Sequence, residues 1–401
     1  MVTLEDVQRA ADRIREHIIR TPLVYSPTFS SMWGASVFLK LETMQRAGSF
    51  KIRGAMNKVL IHRAEIKAQG VVAASVGNHA QGVAVAARTA GVAATVVMPE
   101  GAPLSKQEAT RHYGATVITH GKNLQESLEY AKELEQDGAL FIHPYDDPEV
   151  IAGQGTIGLE IYQDLPEMDM IIAPVGGGGL LSGIAIAVKE LSGSVQIIGV
   201  QAAACPAMYH AYYTGKRDTV TPESSIADGI VVKQPGEITL PLLRQNVDSM
   251  LLVSEAQIAD AIRLLLERKK VIAEGAGATP LAALLSGSLT ISKNDNIVLV
   301  ISGGNVDNPL LERIIRQGLL KKGRIMRISV CIEDVPGSLV NLLEVIARSG
   351  GNILDINQVQ AGPDLPLFTS RVDLEIETRG YDHMQEINNA LEKAGYILRV
   401  R

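Results

Sequence analysis

The stretch that most constrains the fold is Gly176-Gly177-Gly178-Gly179. It stands between an apolar run at 169–175 and a run of small and apolar residues at 180–191. A strand that passes through a glycine turn straight into a helix is the first half of a β-α-β unit, and such units build parallel sheets. Free N–H groups and the macrodipole at a helix start attract an anion, and glycines let the backbone approach it with no side chain between. The other reading is a tight strand–helix turn, although one glycine would satisfy that. The spacing fails G-x-G-x-x-G, because Leu181 or Ser182 falls where a third small residue is required, and the next strand ends at Gln201 instead of an acid. No G-x-x-x-x-G-K-[ST] occurs, so a compact phosphate-bearing group is favoured over a nucleotide.

The alternation continues on both sides. Thr3 and Asp6 form a capping-box variant that opens an amphipathic helix over 3–19, ended by Thr21-Pro22. A strand at 37–42 follows, then strands at 70–75, 94–99, 115–118 and 140–142 separated by helices at 79–90, 104–113 and 123–136. A second set has helix 156–163, strand 169–175, helix 180–191, strand 195–200, helix 254–270 and strand 296–301. Apolar strands at such spacing predict two parallel α/β halves with a cleft between them. Residues 321–325 read as a linker. Beyond it, strand 326–332, helix 338–349, strands 353–360 and 367–377, helix 382–394 and strand 396–400 give β-α-β-β-α-β, a ferredoxin-like α+β domain over 326–401.

Composition excludes several classes. Aromatics make up only 4% against 37 glycines, which suits a core of Ala, Val, Ile and Leu with tight turns at strand ends. A net charge of −6 argues against a broad nucleic-acid surface. Cys205 and Cys331 are too few and too far apart for a disulfide framework, which points to a reducing compartment. No apolar run reaches membrane-spanning length and no basic-then-apolar leader opens the chain, so a cytoplasmic protein without membrane partners is expected. H-E-x-x-H, C-x-x-C and G-x-S-x-G are absent, leaving zincin, thiol-redox and hydrolase readings unsupported.

Three polar clusters could carry chemistry. In Ser49-Phe50-Lys51-Ile52-Arg53-Gly54-Ala55, apolar neighbours would desolvate Lys51 and lower its pKa towards a nucleophilic amine. A surface lysine with a buried stem is the alternative. Ser75-Val76-Gly77-Asn78-His79-Ala80-Gln81-Gly82 places hydroxyl, amide and imidazole groups at a strand–helix turn, or merely supplies an N-cap. Ser302-Gly303-Gly304-Asn305 follows the strand at 296–301 or is only a turn. The last two, like the tetraglycine, fall at strand C-terminal ends, where open α/β sheets bind ligands. A phosphate site with a desolvated lysine is what pyridoxal phosphate requires.

In this order the motifs resemble fold-type II pyridoxal-phosphate enzymes of tryptophan synthase β-like architecture, and among them the threonine dehydratases (threonine ammonia-lyases). The resemblance covers 1–320, with a smaller subdomain at about 50–145 inserted in the larger, and 326–401 resembles the ACT regulatory domain appended to some members. It implies that Lys51 holds pyridoxal 5'-phosphate covalently, with Phe50 packed against the ring. Asn78 would bind the ring hydroxyl, Gly176, Gly177, Gly178, Gly179 and Leu180 the phosphate, and Ser302 would face the pyridine nitrogen. Ser75, Asn78 and His79 would receive the substrate carboxylate. Asp228-Gly229 and Glu274 match further family segments, the role of the first left open.

The activity implied is β-elimination of L-threonine to 2-oxobutanoate and ammonia, with L-serine a secondary substrate. Lys51 would take the Cα proton, and the family assigns protonation of the leaving hydroxyl to the cofactor phosphate. Serine dehydratase or racemase is the alternative within the fold. Racemising relatives carry a serine where Val76 stands, and they bind a divalent metal through carboxylates that Gln201 to Ala207 lack. No divalent metal site is therefore expected, while a monovalent cation on carbonyls remains open. The resemblance also implies a homodimer or homotetramer and an amino-acid effector, such as isoleucine, at Gly337, Ser338, Leu339, Asn352 and Ile353.

Overall fold

Residues 2–66, 69–360 and 365–400 are described by a computed structural model, the side chains of 399 and 400 excepted. Local chemistry sets many element ends. Thr3 Oγ1 accepts Asp6 N at 3.3 Å and Asp6 Oδ2 accepts Thr3 N at 2.9 Å, the reciprocal box expected. The helix it opens, Leu4–Ile14, buries Val7, Ala10 and Ile14 and stops short of the expected residue 19.

The chain divides into two compact units, Met1–Asp307 and Asn308–Arg401. In the first, β1 (Leu23–Tyr25) and β2 (Ser36–Leu41) belong to a six-stranded sheet. The chain then builds a four-stranded sheet from β3 (Val71–Ala74), β4 (Ala94–Met98), β5 (Thr116–Thr119) and β6 (Leu140–Phe141). It returns to the larger sheet with β7 (Met170–Pro174), β8 (Gln196–Ala202), β9 (Ser249–Val253) and β10 (Asn296–Ile301). The orders are β1-β2-β10-β7-β8-β9 and β5-β4-β3-β6, every pairing parallel except β1 with β2. All five residues of β7 and all four of β3 are buried, as strands covered by helices on both faces must be.

Helix Pro148–Asp164 starts eight residues before the expected 156. Asp147 caps it, accepting Glu149 N at 2.9 Å and Val150 N at 3.0 Å, and Pro148 occupies its first turn. The glycines that read as breakers are where helices touch. A Cβ on Gly153 would stand 2.6 Å from Gly54 Cα, and one on Gly155 would stand 2.8 Å from Gly183 O.

The second unit corrects the expected boundary. Lys321 closes helix Asn308–Lys321 and Ile325 opens β11 (Ile325–Glu333), so no linker spans 321–325, and the unit begins at Asn308 instead of after 320. Gly323 O accepts Thr378 Oγ1 at 2.5 Å and Arg324 N donates to Leu319 O at 2.8 Å, which ties these residues to the unit. With β12 (Asn352–Val359), β13 (Thr369–Glu377) and β14 (Leu398–Val400) the sheet runs β12-β13-β11-β14, entirely antiparallel. Leu342 and Ile346 of helix Ser338–Arg348 and Ile387 and Leu391 of helix Tyr381–Lys393 share one core with Met326, Val330, Leu374 and Ile376.

The expected effector residues do not converge within this unit. Gly337, Ser338 and Leu339 follow the end of β11 that pairs with Thr369, whereas Asn352 and Ile353 pair with Glu377 and Ile376. The length of β13, about 30 Å at the usual rise per residue, separates the two sets. Among the described residues no helix is long and apolar enough to cross a membrane.

Candidate active site

Lys51 opens helix Lys51–Ile61, and the residues before it are sewn to the turn after β10. Ser49 bridges Gly303, Phe50 N donates to Ser302 O at 3.0 Å, and Gly304 N donates to Gly48 O at 2.9 Å. Gly48 takes φ +67°, and a Cβ there would lie 2.6 Å from Asn305 Oδ1, so this approach requires glycine. Two residues beyond Lys51, the fully buried Arg53 pairs with Glu42 at 2.8 Å and Glu160 at 2.7 Å, and Lys40 reaches Glu160 at 2.5 Å. Balanced charges buried in this way fix geometry more than they add stability, and here they pin the lysine's helix in place. Lys51 Nζ donates to Pro144 O at 2.7 Å. Burial pushes the amine down to about 8, with the Glu274 carboxyl acting in the opposite sense.

The tetraglycine turn leaves β7 and enters helix Gly179–Leu191. Gly178 takes φ +94°, and a Cβ on it would stand 2.9 Å from Thr239 Cβ. On Gly177 a Cβ would run into the Tyr145 ring, and on Gly179 it would stand 2.7 Å from Tyr145 O. First-turn N–H groups have no acceptor within the helix, so this turn offers donors on a surface stripped of side chains.

The turn after β3 works through side chains. Asn78 Nδ2 donates to Glu274 Oε1 at 2.7 Å and to Oε2 at 2.9 Å, and Asn78 Oδ1 accepts Asn305 Nδ2 at 2.7 Å. Burial pushes the Glu274 carboxyl up to about 7 against the Asn78 hydrogen bond. Ser75 Oγ accepts Gly77 N at 3.3 Å. His79 Nε2 lies 2.7 Å from Ile142 O, and burial, with Lys51 nearby, pushes its pKa down to about 3. The imidazole is therefore a neutral Nε2–H donor already committed to Ile142, and it brings no positive charge to a carboxylate. What His79 can still offer is its main-chain N–H at the start of helix Asn78–Ala90.

These elements meet in one cavity of about 480 Å³. Phe50, Lys51, Ser75, Asn78, His79, Gly176 to Leu180 and Ser302 all line it, while Gly337 to Leu339, Asn352 and Ile353 lie in the second unit. Reading the sequence missed Pro144 and Tyr145, which line the same cavity, and the Asn305–Asn78–Glu274 chain. It also missed Lys106, whose Nζ lies 3.2 Å from Asp228 Oδ2 and so links helix Leu104–His112 to the turn Asp228–Ile230. That contact gives Asp228-Gly229, of open role in the sequence, a place at the cavity wall. An amine of lowered pKa facing a side-chain-free anion cradle fits a small phosphorylated aldehyde.

Comparison with known proteins agrees. Over its whole length and all of the relative's, the chain is 45% identical to an L-threonine ammonia-lyase of Thermotoga maritima. It is 47% identical to a catabolic L-threonine dehydratase of Staphylococcus aureus across 80% of this chain and 93% of that one. Among solved structures, a T.th. threonine deaminase superposes with a TM-score of 0.71 at 42% identity, covering 76% of this chain and 99% of that one. Maize serine racemase gives 0.75 at 35% identity, covering 80% and 98%. Residues 14–303 match the pattern of the family described as pyridoxal-phosphate dependent enzymes. The chain belongs to that family of pyridoxal-phosphate dependent enzymes.

Proposed function

We propose that this chain is a threonine ammonia-lyase, converting L-threonine to 2-oxobutanoate and ammonia. The observation that carries the reading is the single cavity in which Lys51 faces the tetraglycine turn, Asn78 and Ser302. Full-length similarity to L-threonine ammonia-lyases supports the choice of substrate. Lys51 holds the cofactor, Gly176 to Gly179 and Leu180 seat its phosphate, and Phe50, Asn78 and Ser302 surround its ring. Bound there, pyridoxal phosphate supplies the electron sink for charge that develops at the substrate Cα.

Ser75, the Asn78 amide and the helix-start N–H groups at 78–80 orient the substrate carboxylate. With substrate bound, the Lys51 amine would remove the Cα proton, and its lowered pKa suits a base that works near neutral pH. The β-hydroxyl departs with a proton as water, and hydrolysis of the dehydrated product consumes one water, leaving the 2-oxo acid and ammonia. Val76 has no exchangeable proton, so Lys51 is the one proton carrier assigned at Cα. L-Serine follows the same route to pyruvate.

Serine racemisation is the second reading, favoured by the likeness to maize serine racemase. A chiral assay separates the two: D-serine formed from L-serine at a rate near that of pyruvate formation would displace the lyase assignment. The second unit, with its ferredoxin-like strand order, is an ACT-like regulatory domain that senses an amino acid such as isoleucine in isoleucine biosynthesis. Because Gly337 to Leu339 and Asn352 to Ile353 stand apart in one copy, an effector touching both sets would bind between copies of a homodimer or homotetramer. Comparing inhibition by isoleucine in the full chain and in a chain lacking 325–401 tests this, and identical responses would end the regulatory reading.

A further inference from the structure

The loop after β6 touches both Lys51 and the glycine turn. Pro144 O takes the Lys51 amine, and the Tyr145 ring and carbonyl lie against Gly177 and Gly179. The next residue, Asp146, points its carboxylate elsewhere. Its Oδ2 accepts Glu237 N at 2.8 Å, and its Oδ1 accepts Ile238 N at 2.9 Å and Thr239 N at 3.1 Å. These amides stand at the start of helix Thr239–Asn246, so Asp146 caps that helix from more than ninety residues away. A Cβ on Gly236 would collide with Asp146 Oδ1, so the approach is built for glycine. The capped Thr239 is fully buried, donates its Oγ1 to Gly177 O at 2.6 Å and closes over Gly178.

We propose that Asp146 is a positioning residue for the phosphate seat: through Thr239 it fixes the Gly177–Gly178 peptides, and through Tyr145 and Pro144 it keeps them in register with Lys51. This rests on the reading that Gly176 to Leu180 bind the phosphate. An anion seat made of main-chain N–H groups has no side chain with which to correct its own geometry, so what holds its carbonyls from behind decides how well it binds. Three amides on one carboxylate suit that task, since a neutral asparagine keeps only one accepting oxygen and alanine none. The backbone of Asp146 is itself held, as His143 Nδ1 accepts Tyr145 N at 3.2 Å and Asp146 N at 2.7 Å.

The test measures preference for the phosphate, not activity. Full-length enzyme stripped of cofactor is titrated with pyridoxal 5'-phosphate and with pyridoxal, which lacks the phosphate, by the absorbance of the bound form. In Asp146→Ala the ratio of the two affinities should fall by about tenfold, the size of one well-made hydrogen bond, while affinity for pyridoxal changes little. Thr239→Val, which removes only the hydroxyl on Gly177 O, should lower the ratio in the same direction. If Asp146→Ala does not fold, Asp146→Asn and Thr239→Val report the same ratio. A merely structural role would weaken both ligands equally, and a ratio unchanged within about threefold overturns the proposal. A wild-type ratio near one would instead overturn the assignment of the glycine turn to phosphate.

Discussion

Two strand–turn–helix junctions line the same cavity, and they are built on opposite plans. After β7, Gly176 to Gly179 present only backbone, and what stands behind them is packed so tightly that three of the four have no room for a methyl group against Tyr145 or Thr239. After β3, the Ser75–His79 turn presents side chains, and a Cβ on Gly77 would meet nothing within 4 Å. On the proposed reading the first turn would hold a ligand by shape and oriented dipoles, so its substitutions should fail sterically. The second would hold by chosen functional groups, so its substitutions should cost chemistry more than fold. The same position in a β-α unit can be a mould or a set of hands.

That contrast breaks most visibly at Gly177. Gly177→Val should reduce affinity for pyridoxal phosphate by about 100-fold or more and lower the melting temperature, because the new carbons compete with the Tyr145 ring for space. Full affinity in this variant would show that the turn is not packed as described. Asn78→Ala should be milder, with cofactor retained, kcat/KM for threonine down by about tenfold and the melting temperature lowered less than in Gly177→Val. It strips the buried Glu274 carboxyl of both Asn78 hydrogen bonds, so the pH profile should also shift, which simple loss of packing would not produce. An Asn78→Ala enzyme that loses its cofactor as Gly177→Val does would erase the distinction between the turns.

Smaller effects come from pH. On the proposed reading the neutral Lys51 amine captures the cofactor, so the capture rate should climb about tenfold between pH 7 and 9, with its half-point near 8. A flat profile in stopped-flow measurements would contradict the lowered pKa. Burial also pushes His143 down to about 4, as it pushes His79 down to about 3. Both are neutral in the folded protein but take up protons at about 6.5 once unfolded, so their stabilisation is complete above that pH and is lost as the pH falls towards the folded values. The urea midpoint should drop by roughly 1 M between pH 7 and 5, and His143→Gln should reduce the drop.

The same contrast explains what could be read from the sequence. Capping chemistry is local, so Thr3 with Asp6 was legible, and so were the glycine turn and the clusters at Lys51, Ser75 and Ser302. Lys51 to Pro144 spans 93 positions, Asn78 to Glu274 spans 196, and Asn305 to Asn78 spans 227, distances over which no sequence pattern speaks. Tyr145 had no signal at all, because its role depends on a glycine 32 residues later having nothing in the way. Helix Pro148–Asp164 was read short because Gly153, Gly155 and Gly158 look like breakers until the helices they let approach are known. Helices Ala207–Thr214, Thr239–Asn246, Gly275–Leu285 and Asn308–Lys321 were not expected. Two of them run only eight residues, and Pro280 interrupts the third.

The central claim is that Lys51 and the two turns make one lyase site. Keto-acid and ammonia formation from L-threonine, measured in parallel for the wild type and Lys51→Ala with excess pyridoxal phosphate, tests it most directly. The wild type should give 2-oxobutanoate and ammonia in equal amounts, and the variant should lose at least about a thousandfold in kcat. Wild-type enzyme that forms no 2-oxobutanoate, or a Lys51→Ala enzyme that continues to form it, would contradict the account.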